Sequence, residues 1–219
     1  MSLAYPAEIL QLEIGQLRVQ LAQIKDPEKL FDELLSKSKN HPDVINENIP
    51  YWGELWPSAS GLSQFITENS NLIHGKNILE IGCGLGLPGI VASLLGGNVI
   101  LSDYLHAALQ YAEYNWKLNI TTLPELKLLD WRSIDNVSPV DVLLASDIAY
   151  ESKSFVPIIL ALKSLVKKDG IILLSEPNRV FAKKFFKDLQ DEFSFSLEIK
   201  MIEKDGIKNK ISVYTLKKK

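Results

Sequence analysis

With 219 residues, 46% hydrophobic and 23% charged, the chain has an ordinary globular composition and the length of one α/β domain with little left over. A formal net charge of −3 and a pI near 5.7 exclude general attraction to nucleic acid or anionic membrane, so any polyanion site has to be local. A single cysteine, Cys83, excludes an internal disulfide framework. No apolar run approaches the ~20 residues that span a bilayer, and a cytoplasmic location is expected.

Residues 8 to 24 alternate apolar and polar side chains on both sides of Gly15, with Leu10, Leu12 and Ile14 before it and Leu17, Val19 and Leu21 after. That period of two predicts a hairpin. Asp26 then suits the N-cap of a helix that opens with Pro27 and carries Leu30, Phe31, Leu34 and Leu35 on one face. HPDVINENIPYWGELWP, rich in Pro and Asn, predicts a loop, and SASGLSQFITENS a second helix that ends before the turn at His74 and Gly75. The expected organisation is a hairpin-and-helix extension over residues 1–50, packed on a core domain over 51–219.

From residue 76 strands alternate with helices, the signature of a mostly parallel sheet covered on both faces. The parallel strands are NILEIG, NVILSD, ELKLLD, VDVLLASD and GIILLSE, with helices expected near 88 to 95, 105 to 118, 152 to 167 and 178 to 190. FSFSLEIKMIEK and KISVYTLK, with DGIKN between them, predict an antiparallel hairpin at the sheet edge. The fold class is therefore α/β: a seven-stranded, Rossmann-like sheet, mostly parallel and finished by a C-terminal antiparallel hairpin.

The first parallel strand runs into ILEIGCGLGLPG, spaced Gly82-x-Gly84-x-Gly86, and Leu87 stands where a dinucleotide fingerprint has its third glycine. Glu80, expected at the mouth of this loop, would repel the pyrophosphate of a dinucleotide, which favours a ligand with a cationic or neutral middle. Asp103 ends the second strand about 20 residues beyond the glycines, where a carboxylate can accept the protons of two ribose hydroxyls. A helix N-cap is its plainer alternative. Open α/β sheets bind ligands beyond the carboxyl ends of their strands, so Glu80, Asp103, Asp130 and Asp147 are expected to converge on one crevice. Cys83 has no evident histidine partner and suits a buried filler, while His41, His74 and His106 lack metal-ligand spacing, so no metal is expected.

Glu80 followed by Gly82, Gly84 and Gly86 resembles motif I of the class I methyltransferases, whose cofactor, S-adenosylmethionine, carries an ammonium and a sulfonium but no phosphate. Asp147-Ile-Ala-Tyr150 stands where amino-methylating enzymes of nucleic acids and glutamine side chains carry N-P-P-Y. With Trp52, Glu54 and Trp56 of PYWGELWPSA, it resembles the non-histone protein-lysine methyltransferases gathered as methyltransferase family 16, from Pro50 to the final hairpin.

The resemblance implies that Trp56 packs on the cofactor and that Glu80, Gly82, Gly84 and Gly86 cradle its amino-acid end. It further implies that Asp103 holds the ribose, that Asp130 meets the adenine amino group with Trp131 near the ring, and that Asp147 and Tyr150 face the acceptor. Pro57 and Ser58 depart from the family's W-E/D-x-A pattern, which leaves the role of Glu54 open. The alternatives are packing over the sheet's open top for Trp52 and Trp56, a core or rim aromatic for Trp131, and a strand-end aromatic capping the core for Tyr150. The implied function is N-methylation of a protein lysine, with no nucleic-acid partner and no membrane. A small-molecule amine of the nicotinamide type as acceptor, and a non-catalytic cofactor-binding module, are the alternatives. The segment from His41 to Trp56 is then either a lid or a protein-docking groove.

Overall fold

The computed structural model describes residues 3–46, 48–134 and 137–219. Strands β1 (Ala7–Ile14) and β2 (Leu17–Ile24) form the first hairpin, in register from Ala7 opposite Ile24 to Ile14 opposite Leu17. Its two-residue turn places Gly15 at φ 60°, where a side chain would be strained. Helix α1 (Pro27–Ser36) follows, with the Asp26 carboxylate accepting from the Lys29 N–H as its N-cap. The Pro- and Asn-rich stretch is more ordered than a plain loop: it winds the short α2 (Pro42–Ile45) and a 3-10 turn over Tyr51–Gly53. Proline at the first helical position starts both α2 and α3 (Pro57–Glu68), which buries Leu62, Phe65 and Ile66.

The alternating region comprises β3 (Asn77–Ile81), α4 (Leu87–Leu94), β4 (Asn98–Asp103), α5 (His106–Asn119), β5 (Glu125–Leu128), β6 (Val140–Ser146), α6 (Phe155–Leu165), β7 (Val166–Glu176), α7 (Ala182–Glu192), β8 (Phe193–Lys204) and β9 (Ile207–Lys218). The sheet order is β5-β4-β3-β6-β7-β9-β8, with β3 to β7 mutually parallel and β9 antiparallel to both β7 and β8. Three boundaries differ from expectation. β5 stops at Leu128, because Asp130 turns back to bridge Ser133. β7 begins at Val166, opposite Val140, and resumes regular pairing at Ile171 after an irregularity. The last hairpin turns on Asp205 and Gly206 alone, with φ 53° and 75°, a tight primed turn that lengthens both strands.

Side-chain alternation splits the core across the sheet. Ile78 joins Leu62, Phe65, Ile90, Tyr111 and Leu144 beneath α3, α4 and α5, together with Ile14, Val19, Leu21 and Ile24 of the first hairpin. Leu79 and Ile81 join Leu143, Leu162, Phe185 and Leu189 beneath α6 and α7. The strand order reverses between β3 and β6, so the carboxyl ends of these two central strands frame a topological switch point. Among the described residues, no helix is long and apolar enough to cross a membrane.

Candidate active site

The crevice at this switch point is lined by the glycine loop from Gly82 to Leu87, by Asp103, Tyr104 and Leu105 after β4, and by Trp131. Ser146, Asp147, Ile148 and Tyr150 after β6 line its other side, with Tyr51, Trp52 and Trp56 above and Arg179 and Phe181 at one end. The loop makes its sharp path with Gly82, Gly84 and Gly86 at φ 60°, 51° and 80°. At Gly82 space matters as well: a Cβ would lie 3.1 Å from the Trp131 ring and 3.2 Å from Ile148. The loop is tied down by the Cys83 N–H on Ser102 O (2.9 Å) and by Asn115 Nδ2 on Leu85 O (3.0 Å).

Asp103 is 5% exposed and has three backbone donors: Gly84 N–H on Oδ2 and Leu105 N–H on Oδ1, each at 3.0 Å, and the Tyr104 N–H. Burial pushes its carboxyl up to about 6, and the backbone N–H bonds pull the other way. With about four lone-pair sites, the carboxylate keeps acceptor capacity beyond these three donors.

Glu80 departs from expectation. It shares a face of β3 with Ile78, so its carboxyl lies fully buried under α4 rather than at the crevice, with Oε2 accepting the Gly89 N–H at 2.9 Å. A Cβ at Gly89 would sit 2.7 Å from that oxygen and 2.3 Å from Leu101, so glycine is what admits the carboxyl. Its Oε1 has no hydrogen-bond partner. Burial, with a smaller push from Asp103, raises the carboxyl to about 8 against the opposing Gly89 bond. Cys83 is buried within the loop, and burial raises its thiol too.

Asp130 also departs from expectation. Just past the end of β5, its carboxylate is captured by Arg132 (Nε to Oδ1 2.9 Å, Nη2 to Oδ2 2.7 Å) and lines an adjoining hollow. That hollow shares Tyr104, Trp131 and Tyr150 with the crevice. Of the four acids expected to converge, Asp103 and Asp147 do so, and Glu80 and Asp130 do not.

Asp147 sits in the left-handed region at φ 54°, held by its N–H on Ser175 O at 2.9 Å. Its carboxylate takes the two-pronged grip of the Arg179 guanidinium, Nη1 on Oδ1 and Nη2 on Oδ2 (3.1 Å), with the Ser58 hydroxyl at 3.5 Å. Sequence reasoning missed Arg179, which lies 32 residues away in the chain. The available signal was a glutamate ending a strand three residues before it: Glu176 accepts the N–H groups of Asn178 (2.5 Å) and Arg179 (2.7 Å).

The loop above the crevice is an aromatic wall. Tyr51 packs against Tyr150 with ring centroids 5.2 Å apart, and Trp56 Nε1 donates to Tyr51 O at 2.7 Å. Trp52 packs on Tyr111 at 5.1 Å. Glu54, whose role the sequence left open, pairs with Lys204 (2.5 Å), which also donates to Leu55 O (2.9 Å) and fastens this loop to the last hairpin.

The site suits S-adenosylmethionine on structural grounds. Its backbone cradle lies beside a carboxylate with spare acceptor capacity, and Arg179, the one cation lining it among the described residues, is engaged by Asp147 and so is no ready partner for a phosphate. Among the described residues, no group of three His, Cys, Asp or Glu side chains is placed to hold a metal ion.

Comparison with known proteins agrees with this geometry. Residues 46–192 match the family model described as lysine methyltransferase. The chain is similar to histone-arginine methyltransferase METTL23 of Xenopus laevis, 33% identical over 58% of this chain and 56% of that protein, so it spans little more than half of this relative. It is similar to protein-lysine methyltransferase METTL21E of Mus musculus, 36% identical over 74% of each chain. In fold it resembles ribosomal protein L11 methylase of Lactobacillus delbrueckii (TM-score 0.60, 18% identity, 74% of this chain and 78% of that one). It also resembles magnesium protoporphyrin IX methyltransferase of Synechocystis solved with bound S-adenosylmethionine (TM-score 0.57, 17% identity, 88% and 93%). The chain belongs to the lysine methyltransferase family.

Proposed function

We propose that the acceptor is a lysine side chain of another protein, received between the aromatic wall and Asp147. The observation that carries this is Asp147 itself: a carboxylate held in a strained backbone conformation in a crevice that Tyr51, Tyr150 and Trp56 also line. In this reading Trp56, Gly82, Gly84, Gly86, Asp103 and Trp131 bind the cofactor, and Asp147 and Tyr150 face the acceptor. Glu80 acts from beneath by setting the start of α4, and Asp130 by fixing the turn that carries Trp131.

The bound cofactor supplies a methyl group on a sulfonium. The chain supplies alignment and dryness, effects that together reach ~7 to 11 kcal/mol in well-oriented reactions. Asp103 accepts the ribose hydroxyls, the glycine backbone allows close approach, and the aromatic wall excludes water. A lysine ammonium must lose its proton before it can act as nucleophile, and with a pKa of ~10.4 that costs ~4 kcal/mol near neutral pH.

The test is to incubate the protein with methyl-labelled S-adenosylmethionine and cell extract, then to divide the product by protease, nuclease and size filtration. We expect label in a discrete protein band, on lysine by mass spectrometry, that Asp147→Ala abolishes. Label on arginine, on nucleic acid or in the small-molecule filtrate would overturn the lysine acceptor.

A further inference from the structure

A carboxylate beside an amine favours the charged ammonium, the form that cannot attack. Asp147 taken alone would therefore hinder the reaction it serves. We propose that Arg179 is a positioning residue that cancels the charge of Asp147, so that the acceptor nitrogen is received as a neutral amine. The inference rests on the amine acceptor proposed above.

The arm that carries Arg179 is built to stay in place. Glu176 accepts two successive backbone N–H groups at its base. Asn178, at φ 64°, donates to Lys210 O (2.7 Å) and accepts from the Ser212 hydroxyl (2.6 Å), which ties the arm to the last hairpin. The guanidinium thus meets both oxygens of Asp147 from a braced loop.

Other charged and titratable groups nearby leave this pairing intact. Glu176 lies behind the loop and is occupied by its amides, and the Tyr51 and Tyr150 phenols stand across the crevice. Glu54 and Lys204 pair with each other, and Asp205, at the last hairpin turn, lines a separate shallow hollow with Asp147, Arg179 and that pair. Arginine keeps its charge throughout the working pH range, so Asp147 stays neutralised across it. A neutral amine can still donate one N–H to a remaining lone pair of Asp147, which turns its own lone pair away from the carboxylate.

Two measurements test this. In the first, tryptophan fluorescence follows binding of n-butylammonium and of uncharged 1-pentanol to the protein saturated with S-adenosylhomocysteine. Arg179→Gln should bind the ammonium about tenfold tighter than wild type near pH 7, with pentanol unchanged, and Arg179→Lys should stay near wild type. Equal ammonium affinity in wild type and Arg179→Gln would overturn the proposal; Arg179→Met gives the same comparison if the glutamine variant does not fold.

In the second, single-turnover methylation of the labelled protein band is followed against pH. Arg179→Gln should move the midpoint up by about one pH unit, with the half-saturating substrate concentration and the maximal single-turnover rate both lowered near pH 7, and Arg179→Lys should keep the wild-type midpoint. An unmoved midpoint also overturns the proposal. Absence of any methylated protein with wild-type enzyme would instead remove the lysine acceptor, and the amine titration would still decide the role of Arg179.

Discussion

Asp103 and Glu80 show how one side-chain chemistry takes two roles according to the direction it faces. Asp103 reaches the crevice with spare acceptor capacity, and its carboxyl is pushed up to about 6 by burial. Protonation removes an acceptor from the ribose site, so cofactor affinity should hold above pH 6 and fall below it, by up to about tenfold per unit. Asp103→Ala should weaken cofactor binding by about 10- to 100-fold through loss of charge-assisted hydrogen bonds, as calorimetry would show. A flat pH dependence together with unchanged affinity in the variant would leave Asp103 a mere brace for the loop. The motif showed where these acids lie in the chain but not where they point. β3 is buried on both faces, so hydrophobic alternation could not mark the direction of Glu80. Arg179 was marked only by the glutamate that ends the strand before it, for a different reason: it sits in an irregular loop after Pro177 and Asn178, and its meaning comes from a contact that only the sheet topology creates.

Elements with strong periodicity were legible, and their joints were not. The β1–β2 hairpin and the alternating strands and helices followed from apolar spacing, whereas the early end of β5 depends on Arg132 capturing Asp130, which no periodicity records. The joint that matters most is Asn115 on α5, wholly buried among three elements. Its Oδ1 accepts the Ala22 N–H (2.7 Å), and its Nδ2 donates to Ala22 O (3.1 Å) and Leu85 O (3.0 Å). One amide therefore couples the first hairpin to the glycine loop. Asn115→Ala should destabilise the protein by ~2 to 4 kcal/mol, because it strands buried backbone groups. It should also weaken cofactor binding, because Leu85 O loses its tether. Asn119 offers the control: it bonds Gln20 at both N–H and O and donates to the backbone O of Asn115, with no side-chain hydrogen bond to the loop among the described residues. Asn119→Ala should therefore cost ~1 kcal/mol or somewhat more in urea unfolding and leave cofactor affinity alone. Equal effects of the two variants on the cofactor would disprove the coupling.

At the scale of the molecule, the first hairpin, α3, α4 and α5 share one apolar cluster against the central sheet, so local opening around β3 is tied to global unfolding. Glu80 lies in that central strand, and its protonation should be visible in the stability of the whole protein. In the folded chain its carboxyl is raised from 4.5 to about 8. Between those values the folded protein holds a proton that the unfolded chain has released, so stability is full below the lower value and is lost as pH rises through the upper one. Asp103 is raised in the same direction but only to about 6, so its contribution to the slope ends there. From pH 6 to 8 the ligand-free protein should lose up to about 1 kcal/mol per pH unit in urea unfolding, and Glu80→Gln should flatten that segment. The glutamine keeps an oxygen for the Gly89 N–H, so the bond that sets the start of α4 survives and the lost charge is what the comparison isolates. Parallel slopes in wild type and variant would mean that Glu80 ionises in the folded state as it does in water, with the glycine loop yielding to admit solvent beneath α4.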